Sequence, residues 1–203
     1  MTALCGDPDL TLAPSPAKAE AEIDRLMVRL EASQPDARTH AAAVESASVE
    51  AADLLGIPGH SHAALRLGAH VHDIGKLFIP RSTLTKRGPL STAEWAMMRR
   101  HPVLGANLLS SVIRSELALA IVLSHHERWD GDGYPNGVEG ATLPIAVRIV
   151  SVADAYQAMT EQRTYKRPLS TEAAVRELRK NAGTQFDPSC VEAFCDVLAR
   201  RAA

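Results

Sequence analysis

Apolar residues along this chain recur every three or four positions and almost never alternate. In AKAEAEIDRLMVRL, 17–30, Ile23, Leu26, Met27 and Leu30 fall on one face, the pattern of an amphipathic helix. A second helix is predicted from near Ala37 to Leu55, where Gly56 and Pro58 end it. A third covers about Ser61 to Ile74, with Leu65, Leu67, Ala69 and Val71 in its apolar content. GKLFIPRSTLTKRGPL, 75–90, reads as a loop, and Ser91-x-x-Glu94 as a capping box that opens the next helix. His101-Pro102 starts another, since Pro is at home in a helix's first turn. SELALAIVLSHH, 115–126, is a further apolar helix, whereas Glu127 to Leu143 is too rich in Gly and Asp to be helical. Pro144 opens a helix to about Met159, Ser170 caps one to Lys180, and Asp187-Pro188 starts the last, with Val191, Phe194, Val197 and Leu198 inward.

No segment shows strand alternation and no internal repeat is visible. The expected fold is therefore all-α, a single helical bundle domain with a short N-terminal extension. The divisions predicted are a flexible tail over 1–16, broken by Pro8, Pro14 and Pro16, an N-terminal helix over 17–35, and the domain proper over 36–203.

Composition narrows the class. A chain of 203 residues suits one domain, and 46% apolar with 23% charged residues is the balance of a soluble globular protein. A net charge of −2 gives no electrostatic reason to bind a nucleic-acid polymer or an anionic membrane. No apolar run is long enough to span a bilayer, and the start, MTALCGDPDLTLAPSPAK, lacks the basic segment of a signal peptide. Three cysteines, Cys5, Cys190 and Cys195, are too few and too odd for a disulfide framework. They fit a reducing compartment, so a cytoplasmic location is expected. Cys190 and Cys195 sit in an apolar helical pattern and read as small core residues.

The chemistry concentrates at predicted helix ends. His72-Asp73 end one helix, His101 begins another, His125-His126 end a third, and Asp154 lies inside the apolar run IAVRIVSVADAYQAM. His40 lies on the second helix, with Asp36 one turn earlier on the same face. A lone histidine is usually a surface or hydrogen-bonded core residue, and His60, His62 and His70 are read that way. The joint pattern differs. A carboxylate buried among Ile, Val and Ala needs a cation or hydrogen bonds, and imidazoles converging with carboxylates suit divalent metals. An Asp beside a His can bridge two ions with its two oxygens, the arrangement of a two-metal hydrolytic site. Lys76 would then meet a substrate phosphate or the departing alkoxide.

With HDIGK, 72–76, and HHERWDGDGYPNG, 125–137, the sequence resembles the HD-GYP family, helical phosphodiesterases of the HD superfamily that open the bacterial second messenger cyclic di-GMP. MRRHP, VADAYQAMT and NAGTQFDP also look like family segments, in the same order, so the likeness runs from about Thr39 to Leu198. The resemblance implies metal ligation by His40, His72, Asp73, His101, His125, His126 and Asp154, with Asp73 as the bridge. It implies two divalent ions, iron or manganese first and zinc as a third choice. It implies Asp73 and Lys76 in catalysis, and substrate contacts from Lys76, Tyr134, Arg163 and Lys166. About 35 residues precede the likeness, too few for a receiver or sensor domain. A stand-alone catalytic domain is expected, its input a homodimer contact, a signalling partner or the level of cyclic di-GMP itself. Two other readings stand beside this one: a general HD-domain nucleotide phosphohydrolase, and a non-catalytic module that binds a cyclic dinucleotide.

The sequence departs from the pattern at Asp36, where members with a third metal carry Glu. Asp is shorter by one carbon-carbon bond, about 1.5 Å, and metal–oxygen distances tolerate only about 0.2 Å of error. A third site near Asp36 is therefore expected to be weak or empty. Asp36→Ala should leave metal content unchanged by elemental analysis; loss of one tightly held ion in that variant would contradict the reading.

Overall fold

The computed structural model describes residues 15–161 and 167–202. Most of the expected N-terminal tail lies outside them, as do Arg163 and Lys166. Ten α-helices form among the described residues: α1 Pro16–Ser33, α2 Ala37–Leu54, α3 His62–Val71, α4 Arg81–Leu84, α5 Thr92–Met98, α6 His101–Leu109, α7 Glu116–Ser124, α8 Ile145–Thr160, α9 Thr171–Lys180 and α10 Pro188–Ala202. No strand forms among them, as the absence of alternating sequence predicts.

The helix starts follow local chemistry. The Ser91 side chain accepts the Glu94 N–H while Glu94 accepts the Ser91 N–H, a complete capping box for α5. Ser115 and Ser170 cap α7 and α9 by accepting the N–H groups of Ala118 and Ala173. Pro102 occupies the first turn of α6.

Two apolar clusters hold the bundle together. Val44, Leu65, Ile121, Val150, Leu178 and Phe194 belong to the larger. Leu26, Met27, Leu30, Val71, Ile74 and Leu109 belong to the smaller. The helix predicted as an N-terminal extension thus contributes three side chains, Leu26, Met27 and Leu30, to a core of the domain. Helices α3 and α7 pack on each other and supply residues to both clusters. Their C-terminal ends carry His72 and His125, so the chemistry-bearing residues emerge where the two cores meet.

The structure departs from the sequence reading between residues 72 and 90. Helix α3 stops at Val71, and the segment expected as loop holds a 3₁₀ turn, Ile74–Phe78, and the short α4. The cause is a close approach. A Cβ on Gly75 would lie 1.9 Å from the His101 carbonyl oxygen and 2.6 Å from the Gly105 nitrogen. Only glycine lets the turn sit directly on α6. Cys190 and Cys195 are buried free thiols, as expected, and burial pushes the Cys190 thiol up to about 12.

Asp187 joins α8 to α10. Its Oδ1 accepts the Ser189 N–H at 2.8 Å and the Ser189 hydroxyl at 2.7 Å, and Oδ2 takes the Arg148 guanidinium. Burial alone would raise the Asp187 carboxyl, but these donors more than offset it and hold the group below its ordinary value. A depressed carboxyl contributes stability above its unfolded pKa of about 3.9 and loses that contribution as pH falls through the lower folded value. Asp187→Ala should therefore cost about 2 kcal/mol at neutral pH. In denaturant titrations the gap from wild type should narrow below about pH 4. A gap that stays constant into acid would contradict the assignment.

Candidate metal centre

Three histidines share one device. His72 donates its Nδ1–H to the Ala69 carbonyl at 2.7 Å, His101 to Met98 at 2.9 Å and His125 to Val122 at 3.0 Å. Each follows the end of a helix and turns back three residues, where helix-terminal carbonyls lack intrahelical donors. A carbonyl can only accept, so Nδ1 carries the proton and a neutral ring presents Nε2 as a bare lone pair. The Nε2 atoms of His101 and His125 then face each other at 3.3 Å, acceptor against acceptor. The Nε2 of His72 is buried with no hydrogen-bond partner. These are donor atoms set for a cation.

Two carboxylates complete the set. The Asp73 Oδ1 lies 3.3 Å from His101 Nε2, and its Oδ2 lies 3.5 Å from His72 Nε2. The two oxygens of one side chain therefore address histidines from different helices. Asp154 Oδ1 lies 3.1 Å from His40 Nε2 and 3.7 Å from His72 Nε2. Ligand atoms of Asp73, His101, His125 and His126 all lie within 4.8 Å of one another, as do those of His40, His72 and Asp73, and of His72, His125 and Asp154. The structure thus brings together all seven residues singled out in the sequence, with Asp73 common to two of the three groups. This donor set of imidazole and carboxylate fits divalent transition metals.

Electrostatics favour the ligating forms of Asp73, Asp154, His101, His125 and His126. Burial opposes ionisation of Asp73 and Asp154, but Lys76 and His72 beside the first, and His40 and His72 beside the second, hold both well below the usual carboxylate range. Burial pushes His101 down to about 3 and His126 to about 4, and lowers His125 as well, so these rings are neutral. His72 goes the other way: burial disfavours its charge, yet the Asp73 and Asp154 carboxylates outweigh it and raise the ring to about 10. Between two carboxylates the site attracts positive charge, which a proton or a metal ion can supply.

Other residues around the centre are not evident from sequence. His40 donates Nδ1–H to Glu161 at 2.8 Å, which fixes its ring and leaves Nε2 toward Asp154. Glu127 is buried and accepts the N–H groups of Asn136 at 2.7 Å and Val138 at 3.2 Å, which pins the loop after His126. A Cβ on Gly133 would lie 2.4 Å from the Arg128 nitrogen, so the same loop can close only with glycine there. Ser151 of α8 donates to the His125 carbonyl at 2.7 Å. Nothing in periodicity or capping marks Glu161 or Glu127, because their partners are distant in sequence or are backbone groups of an irregular loop.

The remaining expectations divide. Lys76 Nζ lies 2.5 Å from Asp73 Oδ2, so its ammonium rests on the carboxylate expected to bridge. Tyr134 lines an open cavity of about 670 Å³ together with His125, His126 and Asp154. Asp36 is exposed, belongs to none of the ligand groups and makes no side-chain cap for α2. His62 and His70 bond elsewhere, to the Ile57 carbonyl and to Glu45, and neither they nor His60 belong to the ligand groups.

The close packing of Gly75 on His101 makes a direct test. Gly75→Ala should push the 3₁₀ turn off α6, destabilise the protein by about 3 kcal/mol and reduce its metal content. Gly59→Ala, where a Cβ meets nothing within 4 Å, should change neither. Wild-type metal content in a folded Gly75→Ala protein would show that the turn does not position the ligands.

A model of the HD domain family matches residues 24–190. The chain is 40% identical over 145 residues to the cyclic di-GMP phosphodiesterase response regulator RpfG of Xanthomonas campestris pv. campestris, covering 70% of this chain and 38% of that protein. It is 42% identical over 132 residues to a cyclic di-GMP phosphodiesterase of Thermotoga maritima, covering 64% and 36%. It is 38% identical over 143 residues to the 3'3'-cGAMP-specific phosphodiesterase 2 of Vibrio cholerae, covering 70% and 27%. The chain therefore spans well under half the length of these relatives. Among solved structures, Bd1817, a HDG"Y"P protein from Bdellovibrio bacteriovorus, superposes with a TM-score of 0.68 at 20% identity, over 90% of this chain and 62% of that one. The PgpH HD domain of L. monocytogenes gives 0.62 at 16%, over 88% and 99%, a likeness of fold. Since the family match begins inside α1 and takes in every helix up to the start of α10, the chain belongs to the HD domain family.

Proposed function

We propose that this domain is a metal-dependent phosphodiesterase that hydrolyses cyclic di-GMP to the linear dinucleotide, to GMP, or to both. The observation that carries the reading is the pair of Asp73 oxygens, each facing a different histidine across a gap of 3.3–3.5 Å. One carboxylate so flanked suits two adjacent divalent ions, iron or manganese by preference, with zinc also compatible with the donors. His101, His125 and His126 would hold one with Asp73; His40, His72 and Asp154 would hold the other with it. Ions bound there supply Lewis acidity toward a phosphate oxygen and make water acidic enough to attack near neutral pH.

The chain's own groups do the rest. Hydrolysis forms a bond from a water oxygen to phosphorus and breaks the bond from phosphorus to the ribose oxygen, whose departing alkoxide takes up a proton. Lys76, held on Asp73, keeps a cation beside that exchange of charge. The cavity beside His126 and Asp154 falls in the size range of small-ligand sites. Arg163 and Lys166 belong to the same proposal as phosphate contacts. So do a cytoplasmic location, a role in signal transduction, and regulation by a homodimer contact or a signalling partner. Relatives specific for 3'3'-cGAMP favour testing that dinucleotide as a second substrate.

Protein purified without oxygen should convert cyclic di-GMP to products separable by chromatography. It should lose activity to a chelator and regain it with iron or manganese. Lys76→Ala should lower turnover with metal content near normal. Full activity in metal-free protein would end the two-metal reading. Binding of the dinucleotide without turnover would favour a non-catalytic module, and hydrolysis of ordinary nucleotides alone would favour a general HD phosphohydrolase.

A further inference from the structure

The Tyr134 ring, expected to meet substrate, is engaged by protein. It stacks on His126 with centroids 4.8 Å apart and planes 29° from parallel, and the Tyr134 N–H bonds the His126 carbonyl at 3.2 Å. The Arg99 guanidinium lies over the same ring, 5.3 Å from its centroid. Arg99 closes the C-terminal end of α5, two residues before His101, and lines the cavity with His126, Tyr134 and Asp154. A chain of contacts thus runs from the metal centre through a ring to a cation.

Among the described residues that cation has no acidic partner. Among the described residues Arg99 makes no ion pair and no side-chain hydrogen bond, and its guanidinium rests on the Tyr134 ring. Arg128, which also lines the cavity, is committed to Asp130 at 2.5 Å, and Lys76 to Asp73 at 2.5 Å. A guanidinium stacked on a ring is already oriented, and its planar fork of N–H donors matches two phosphate oxygens. A cyclic dinucleotide carries two phosphodiesters. When one is at the metal centre the other remains anionic, and among the described residues lining the cavity Arg99 is the cation not already paired with a carboxylate, beside the phosphate contacts proposed for Arg163 and Lys166.

We propose that Arg99 binds the second, uncleaved phosphate of a cyclic dinucleotide, with Tyr134 as the platform that aims it. The proposal rests on the functional reading above. A group bound equally in ground and transition states raises KM when lost and leaves kcat alone.

The test compares two substrates. Cyclic di-GMP has two phosphates, and bis(4-nitrophenyl) phosphate has one. Arg99→Met keeps the stem over Tyr134 and removes the charge. It should raise KM for cyclic di-GMP roughly 10- to 100-fold, the loss of about one to two charge-assisted hydrogen bonds. Its kcat, its metal content and its rate on the single diester should stay at wild-type values. Arg99→Lys should recover part of the loss, since it restores a charge without the fork. An unchanged KM for cyclic di-GMP in Arg99→Met would overturn the proposal. So would an equal loss on both substrates with a fall in metal content, which would make Arg99 only a brace for Tyr134 and His126. Failure of the wild type to cleave cyclic di-GMP while cleaving the single diester would refute the functional reading itself, and the Arg99 proposal with it.

Discussion

A carboxylate sits at the centre of this protein, and the helices around it are arranged to surround it with nitrogen. Asp73 is ionised despite its burial because Lys76 and His72 lie beside it. Such a group cannot stand alone: an isolated buried charge costs several kcal/mol. The solution here is a repeated one. A histidine placed just past a helix end donates back to the carbonyl three residues earlier, satisfies a helix terminus and turns its other nitrogen inward. One hydrogen bond thereby caps a helix, fixes a tautomer and aims a ligand.

The packing serves that arrangement. Helices α3 and α7 are locked together between the two apolar clusters, which fixes the positions of His72 and His125. Gly75 lets the turn after Asp73 lie against the start of α6, and so sets His101 beside it. Asp154 arrives from α8, whose other end is tied to α10 through Arg148 and Asp187. Glu161 and Glu127 act behind the centre, one orienting His40 and the other shaping the loop that carries Tyr134. Candidate ligands from separate helices, with His72, His101 and His125 each held by a backbone carbonyl and His40 by Glu161, make a preformed site whose cost in stability is offset by the cores on either side.

Much of this is legible in the sequence because it depends on local rules. Helical periodicity and the caps at Ser91, Ser115 and Ser170 mark the helices to within a few residues. The seven ligand-type residues stand out because histidine and aspartate are costly to bury at the ends of apolar helices or within them unless something pairs with them. What the sequence hides is non-local. The 3₁₀ turn at Ile74–Phe78 follows from a contact between Gly75 and a backbone 26 residues away. Glu161 meets His40 across 121 residues, and no spacing rule reaches that far. Spacing alone leaves Lys76 free to face substrate; the structure shows it three residues and one 3₁₀ turn from Asp73, near enough to pair with it. The family resemblance implies a substrate contact from Tyr134, yet the Tyr134 ring is already engaged by His126 and Arg99.

The proposed two-metal centre depends on Asp73 as a shared ligand. The most direct measurement is a crystal structure of protein purified without oxygen, with diffraction recorded on both sides of the absorption edge of the metal it retains. A bridging Asp73 predicts two anomalous peaks, one against each of its oxygens, the first also touching the Nε2 of His101 and the second the Nε2 of His72. A single peak touching only one of those oxygens, or peaks remote from Asp73 with Lys76 still on the carboxylate, would contradict it.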